Sequence, residues 1–300
     1  MLGFRGLRGF RHKFLSSFGV AIEFEKLKDL GYNVIPPTDS FLVGDGQTSP
    51  GMYAMAATTY FKKYGIGRET LAKINVKNHR NGAMHPKAHF QKEITEEQSL
   101  TAPIVAWPLG LYDCCPRTDG ATAAIICTAG MATSFRDDYI LIKGLGVATG
   151  TGVRQFIQGK DIIGYEENAI AAQRAYGEAG ITNPLKEISL AQVHDCFSIN
   201  ELFSYEDLGF CPRGKAKSFI DDGVFELDGE LPVNSDGGLK SFGHPQGASG
   251  LRMVYEIYKQ IQGKADKPSR QIKNVSIGLT HNVGGVPETG GVSFVGIFGR

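Results

Sequence analysis

DYILIKGLGVATG (138–150), YEENAIAAQRAYGEAG (165–180) and EISLAQVHD (187–195) are the consecutive stretches whose periods decide the fold. The first and third are short apolar runs of strand character. The second repeats apolar residues at helical spacing and stops at Gly180. The alternation continues downstream. FSINELFSYEDLG (197–209) reads as a helix ending at Gly209 and FELDGELPVN (225–234) as a loop. Pro245 to about Gln262 reads as a helix, and NVSIGLTHN (274–282) and GVSFVGIFG (291–299) as strands. Strands separated by helices of this length need crossover connections, so the chain is α/β, its sheet mostly parallel or mixed and covered on both faces.

Upstream, GMYAMAATTYFKKYG (51–65) gives a helix with an apolar face, Pro50 at its start, a basic last turn and Gly65 as its stop. Thr70 to Val76 continues helical and ends in the turn NHRNG. The proline-punctuated stretch 83–118 reads as an extended loop region over the core. DGATAAIICTAG (119–130) is either a buried strand or a small-residue helix. Three units result: 1–19, 20–136 and 137–300.

Composition narrows the function. Thirty-two basic and 31 acidic residues in 300 leave a formal net charge of +1, which argues against nucleic acid as a partner. No apolar run approaches the roughly 20 residues of a membrane span. Five cysteines are too few and too odd in number for a disulfide framework, which favours a reducing compartment, the cytoplasm. There is no CxxC pair, and Pro86 interrupts the spacing of His79, His85 and His89, so no metal site is expected. Residues 1–19 carry Arg5, Arg8, Arg11 and Lys13 with no acid before Glu23. They read as an organellar presequence or, preferably, as a non-native start.

Four glycine- or histidine-bearing segments are candidates for chemistry. GLGVATG (144–150) imitates a dinucleotide loop, but its GxGxxxG spacing has no helix directly behind it, and a glycine-rich turn is the better reading. VHDCF (193–197) brings an imidazole, a carboxylate and a thiol to the end of a strand, where α/β sheets place ligands. Asp195 is positioned to cap the next helix. In SFGHPQGASG (241–250), Pro245 suits the first helical position. His244 would then lie at a helix mouth whose partial positive charge keeps the ring neutral and able to donate. Gly247, Ala248 and Gly250 leave that helix face bare for another backbone or a ligand. LTHNVGG (279–285) ends a strand with His281, Asn282 and a glycine turn.

VHDCFSINELFSYEDLG, VNSDGGLKSFGHPQGASG and GLTHNVGG, in that order, resemble the C-terminal half of the thiolase superfamily. The likeness is to the types linked with sterol carrier proteins and to archaeal and bacterial acetyl-CoA acetyltransferases. PGMYAMAATTYFKKYG, VKNHRNGAMHPKAHF and DCCPRTDGATAA extend it upstream to about Val20. The resemblance implies two similar βαβαβαββ halves in five layers, here a complete C-terminal half and a partial N-terminal one. It implies acyl-CoA chemistry in lipid metabolism, with a coenzyme A thioester as substrate and no resident cofactor. The usual state is a homodimer; a hetero-complex with a related chain or a small acyl-CoA-binding partner is the alternative.

On this resemblance His244 helps form an oxyanion hole, His194 contacts the thioester oxygen and Cys196 is the acid–base thiol. His281, Asn282, Gly247 and Ser249 line the substrate. Tuning of the Cys196 thiol towards neutrality by donors and a helix end is expected. The family's acyl-accepting cysteine falls upstream of the 50–65 helix, in a segment without room here. Cys114, Cys115 and Cys127 are read as packing and loop residues. A truncated thiolase chain with an exposed sheet edge and apolar surface is the expectation; a non-catalytic thiolase-like interaction subunit is the second reading and a steroid side-chain retro-aldolase the weaker third.

Overall fold

The computed structural model describes residues 42–43, 47–150, 163–285 and 291–300; the 1–19 segment lies outside them. A small hairpin of β1 (Leu42–Val43) and β2 (Gln47–Thr48) leads into α1 (Ser49–Tyr64). The Thr48 hydroxyl caps α1, Pro50 sits in its first turn, and left-handed Gly65 (φ 65°) ends it.

Helix α2 (Arg68–Met84) runs well past Val76, and NHRNG is part of it rather than a turn. Asn and Gly form helices poorly in isolation. Here tertiary bonds override that preference: Asn75 binds Asp113 at 2.8 Å, Asn78 binds Asp195 and Glu201, and Asn81 binds the Asn234 carbonyl. Gly82 is needed because a Cβ there would lie 2.0 Å from Ser241 Oγ.

The 83–118 stretch is less irregular than expected. It holds α3 (Glu96–Thr101), nucleated by a Thr95–Gln98 capping box, and a hairpin of β3 (Ile104–Ala106) with β4 (Leu109–Gly110). Elements this short leave no readable period. Residues 119–128 are neither buried strand nor helix. They run without regular structure, Ile125 and Ile126 being 89% and 77% exposed, to the single turn α4 (Ala129–Ala132).

The remainder is built around one sheet. In chain order come β5 (Leu141–Thr149), α5 (Glu166–Ala179), α6 (Pro184–Glu187), β6 (Leu190–Gln192), α7 (Ser198–Asp207) and α8 (Ala216–Asp221). Then follow α9 (Gly238–Phe242), α10 (Ser249–Ile261), β7 (Ile277–Gly284) and β8 (Val292–Gly299). The short α6, α8 and α9 were not anticipated, and α10 starts at Ser249, not Pro245.

Sheet order is β5-β8-β7-β6. β8 is antiparallel to both neighbours, β6 is parallel to β7, and Val233 adds a parallel bridge to Ala191. The fold is thus α/β with a mixed sheet. On one face α5 presses so closely on β5 that a Cβ on Gly146 would lie 1.8 Å from the Ala171 carbonyl oxygen. That packing, rather than a glycine-rich turn, accounts for the GLG sequence, which lies within β5. On the other face Ile257 of α10 sits over Gly278. This second face is covered only towards β6 and β7: Ile142, Leu145, Val147 and Phe294 on β5 and β8 are exposed, contrary to the expected cover on both sides. The core itself is continuous across residue 136. Tyr60 of α1 packs on Phe203 of α7 and hydrogen-bonds Glu206.

Candidate functional site

The chain leaves β6 still extended, and Val193 is fixed by its N–H to Asn234 Oδ1 at 2.9 Å. His194, Asp195 and Cys196 follow before α7 begins. Asp195 does not cap α7, whose N-cap is Phe197 with no side-chain bond. Instead its carboxylate accepts from the Leu239 N–H (2.6 Å), the Lys240 N–H (3.3 Å) and Asn78 Nδ2 (2.9 Å). It therefore caps α9, a helix the sequence did not reveal. Gly238 (φ 63°) makes room, because a Cβ there would sit 2.3 Å from Asp195 Oδ2.

Helix α9 hands directly to Gly243 (φ 112°) and His244. Pro245 starts a turn, its carbonyl accepting from Ala248 N (2.7 Å) and Ser249 N (3.0 Å). His244 thus precedes α10 by a full turn, too far for the helix dipole to govern its charge. Burial, then Arg252, lowers its pKa to about 4.

His194 and His244 meet edge to face, ring centres 5.1 Å apart at 83°. Burial, then the neighbouring imidazoles of His244 and His281, hold His194 at about 3. Its Nδ1 faces Asn282 Oδ1 at 3.5 Å, and His244 Nδ1 faces Ser249 Oγ at 2.8 Å. Both rings are neutral at pH 7, each with one N–H to donate.

His281 does not join them. It and Asn282 lie within β7, as expected, though the strand runs on to Gly284, and strand alternation sends them to opposite faces. Asn282 faces His194, whereas His281 is buried against Asn168 (2.9 Å) and Ser204 (3.4 Å). Burial alone takes its pKa down to about 3. Gly247 lies exposed in the turn with open space where a Cβ would go. Gly250 meets only the Asn282 amide, at ordinary contact distance (3.5 Å), so no close backbone approach requires either glycine. Ser249 is buried and its hydroxyl is shared between His244 and the Pro245 carbonyl (3.1 Å), so it positions the imidazole.

The Cys196 thiol is buried with Tyr53 Oη 3.5 Å away, and Tyr165 Oη lies 2.7 Å from Tyr53 Oη. Burial pushes the thiol up to about 12; the Tyr53 bond pulls the other way. The resting group is a neutral thiol, not the tuned thiolate expected. Neither tyrosine was foreseen, since each reads in sequence as an ordinary apolar-face residue.

The loop 113–122 bridges the two histidine segments. Cys114 pairs with Phe197, Cys115 N donates to the Cys196 carbonyl (2.9 Å), Arg117 pairs with His244, and Thr122 Oγ1 donates to the Ala248 carbonyl (3.0 Å). Burial pushes the Cys114 and Cys115 thiols well up. Behind Asp195 lies a buried charge cluster. Glu201 takes Lys77 Nζ at 2.6 Å, Tyr205 Oη at 2.6 Å and Asn78 Nδ2 at 2.6 Å, with Lys240 Nζ at 3.5 Å. Burial opposes ionisation of Glu201, but the two lysines and the hydrogen bonds prevail and hold it at about 2. Asp195 is raised to about 6 by burial and by Glu201. Among the described residues no group of three or more His, Cys, Asp or Glu side chains could hold a metal, and no helix is long and apolar enough to cross a membrane.

Residues 148–297 match the family described as thiolase C-terminal domain-like. An acetyl-CoA acetyltransferase of Methanothermobacter thermautotrophicus is 39% identical over 289 residues, covering 94% of this chain and 72% of that protein. One from Methanocaldococcus jannaschii is 40% identical over 252 residues, 82% of this chain and 62% of the relative. Sterol carrier protein 2 of Bos taurus is 34% identical over 239 residues, 79% of this chain and 43% of that protein. Among solved structures, the Ltp2-ChsH2(DUF35) aldolase superposes with a TM-score of 0.71 at 28% identity, over 85% of this chain and 64% of its own. The chain thus spans only part of each relative's length. With a family match over half its residues and an archaeal relative aligned over nearly all of them, the chain belongs to the thiolase family.

Proposed function

We propose that this chain acts on acyl-CoA thioesters, stabilising the thioester enolate that is formed by loss of an α-proton to the Cys196 thiolate in Claisen condensation and protonated by the Cys196 thiol in thiolytic cleavage. The supporting observation is the pair of neutral imidazoles, His194 and His244, meeting at one place with Ser249 and Asn282 behind them. An imidazole N–H given to the thioester oxygen stabilises the charge that develops when an α C–H or an α–β C–C bond breaks: His244, whose Nδ1 can accept from Ser249, has its Nε2–H free for this, and His194 exchanges the Asn282 oxygen for that of the thioester. Cys196 is the proton carrier. In the cleavage direction its S–H bond breaks and a C–H bond forms at the enolate α-carbon, a role that suits a resting thiol. The substrate is a coenzyme A thioester and no resident cofactor takes part. Residues 20–136 and 137–300 act as the partial and complete halves of the family fold.

The acyl-accepting thiol of a full thiolase reaction is not assigned to this chain. Cys127 is exposed, Cys211 is buried, and Cys114 and Cys115 serve the bridging loop. A retro-aldol cleavage needs no such thiol and forms the same enolate, and the likeness to an aldolase supports it as the second reading. The open apolar face of β5 and β8 supports a homodimer, or a complex with a related chain, over a lone monomer.

Deuterium exchange into the methyl group of acetyl-CoA in D2O tests enolate formation without any nucleophilic cysteine. The chain should accelerate exchange, and His244→Ala should reduce it roughly 10²–10³-fold. Exchange at the buffer rate refutes the proposal.

A further inference from the structure

The geometry points to Tyr53 as a positioning residue for Cys196: its hydroxyl is a reversible hydrogen-bond partner that accepts from the thiol and donates to the thiolate. The inference rests on the acid–base reading of Cys196 but adds a group outside the motifs that suggested it. Tyr53 comes from α1, far in sequence from VHDCF, and its ring stacks on Phe197 with centres 4.3 Å apart. Stacking fixes the ring, so the hydroxyl is held beside the sulfur. That hydroxyl has three neighbours: Cys196 Sγ at 3.5 Å, Tyr165 Oη at 2.7 Å and the Gly285 carbonyl oxygen at 3.3 Å.

Hydrogen-bond bookkeeping closes in both protonation states. At rest the thiol S–H and the Tyr165 O–H both donate to Tyr53 Oη, and the Tyr53 O–H donates to Gly285. When Cys196 gives its proton to an enolate carbon, the S–H bond breaks and the C–H bond forms. Tyr53 then turns its O–H from Gly285 to the sulfur while still accepting from Tyr165. A thiolate thereby gains a charge-assisted donor without any heavy atom moving. The charged and titratable groups facing Cys196 are Asp195 beside it, Cys114 and Cys115 on the bridging loop, Tyr53, Tyr165 and, from α9, Lys240. Lys240 is the cation of this set, and its ammonium reaches Glu201. Burial raises both tyrosine hydroxyls well above their usual range, so both keep their own protons.

The test is the pH dependence of Cys196 alkylation by iodoacetamide, followed by peptide mass spectrometry from pH 7 to 10, with exposed Cys127 as internal reference. Tyr53→Phe keeps the stacking ring and removes the donor. Its Cys196 rate should fall about 10- to 100-fold at every pH, the equivalent of about one to two pH units, while Cys127 is unchanged. Tyr165→Phe, which leaves Tyr53 in place, should shift the profile in the same direction by less than tenfold, and it serves if Tyr53→Phe does not fold. A Tyr53→Phe profile that overlays or lies above the wild-type line, or a larger effect from Tyr165→Phe, overturns the inference. Acetyl-CoA exchange on the same samples separates the two claims: no exchange with an intact alkylation shift removes the enolate reading and leaves the coupling standing.

Discussion

Replacing Lys240 with Met should destabilise the protein by about 3 kcal/mol at pH 7.5 and by distinctly less at pH 5. The ammonium is fully buried, 3.5 Å from Glu201 Oε2, and finds no hydrogen-bond acceptor among the described residues. At an effective dielectric of about 20 that separation corresponds to roughly 5 kcal/mol of attraction. Returning the ammonium's desolvation cost offsets part of it, which sets the net figure near the range for breaking a buried ion pair. The pH dependence follows from Asp195. Its folded pKa of about 6 lies above the ordinary carboxylate value, so its ionisation already costs stability above that pH, and Lys240 moderates the cost. Without Lys240 the carboxyl titrates higher still. The variant therefore gains stability relative to wild type as pH falls through 7 to 5 and Asp195 takes up its proton.

Urea unfolding of wild type, Lys240→Met, Asp195→Asn and the double variant at both pH values measures this directly. The double variant leaves Lys77 and Glu201 as a neutral pair, so it should be more stable than the sum of the single effects by at least about 1.5 kcal/mol. Additivity within about 0.5 kcal/mol, or an equal cost of Lys240→Met at both pH values, refutes the cluster as described.

Other expectations are simpler to test. His194 and His281, each held at about 3, bind protons in the unfolded chain near 6.5 and not in the folded one. Stability should fall as pH drops below 6.5, by about 1.4 kcal/mol per pH unit for each ring, and urea titrations of His281→Gln should show one proton fewer taken up on unfolding. Gly238→Ala should lower stability by at least about 1–3 kcal/mol, since it strains a left-handed residue and drives a methyl into Asp195; a Tm equal to wild type contradicts the α9 geometry. Timed alkylation of the native chain at pH 8 should label Cys127 first, and Cys196 and Cys211 last; early labelling of Cys196 contradicts its burial.

What could be read in the sequence was what repeats or caps. The β5–α5–β6–α7 alternation, the Gly65, Gly180 and Gly209 stops and the two C-terminal strands were legible because each is encoded by a local period or a left-handed glycine. The NHRNG turn was misread because propensity is local, whereas Asn75, Asn78 and Asn81 are held by partners scattered from residue 99 to 234. Asp195 was misassigned for the same reason: proximity in sequence suggested α7, while the carboxylate reaches a helix more than forty residues on. His194 and His244 could be named, but their meeting depends on Arg117 and Cys115 of the bridging loop, and no spacing rule reports that. His281 shows the opposite error, since adjacent residues of one strand take opposite faces and His281 and Asn282 could not both enter one pocket.

Burial links stability and chemistry at this site. A solvated imidazole at neutral pH is part-charged and makes water its first partner, so it is a poor fixed donor. Desolvation holds His194 and His244 neutral across the physiological range, and the cost is the acid sensitivity expected above. The same desolvation keeps the Cys196 thiol protonated, which by itself would make a sluggish base. Tyr53 resolves that conflict locally, because a hydroxyl that can reverse its bond favours the thiolate without adding a buried charge. A lysine in its place would lower the thiol more, but it would depress the histidines further and need its own counter-ion. The chain pairs its buried lysines with Glu201 behind Asp195, and pairs Arg252, the cation that reaches the two rings, with Asp236, so the groups in contact with the sulfur and the rings are neutral.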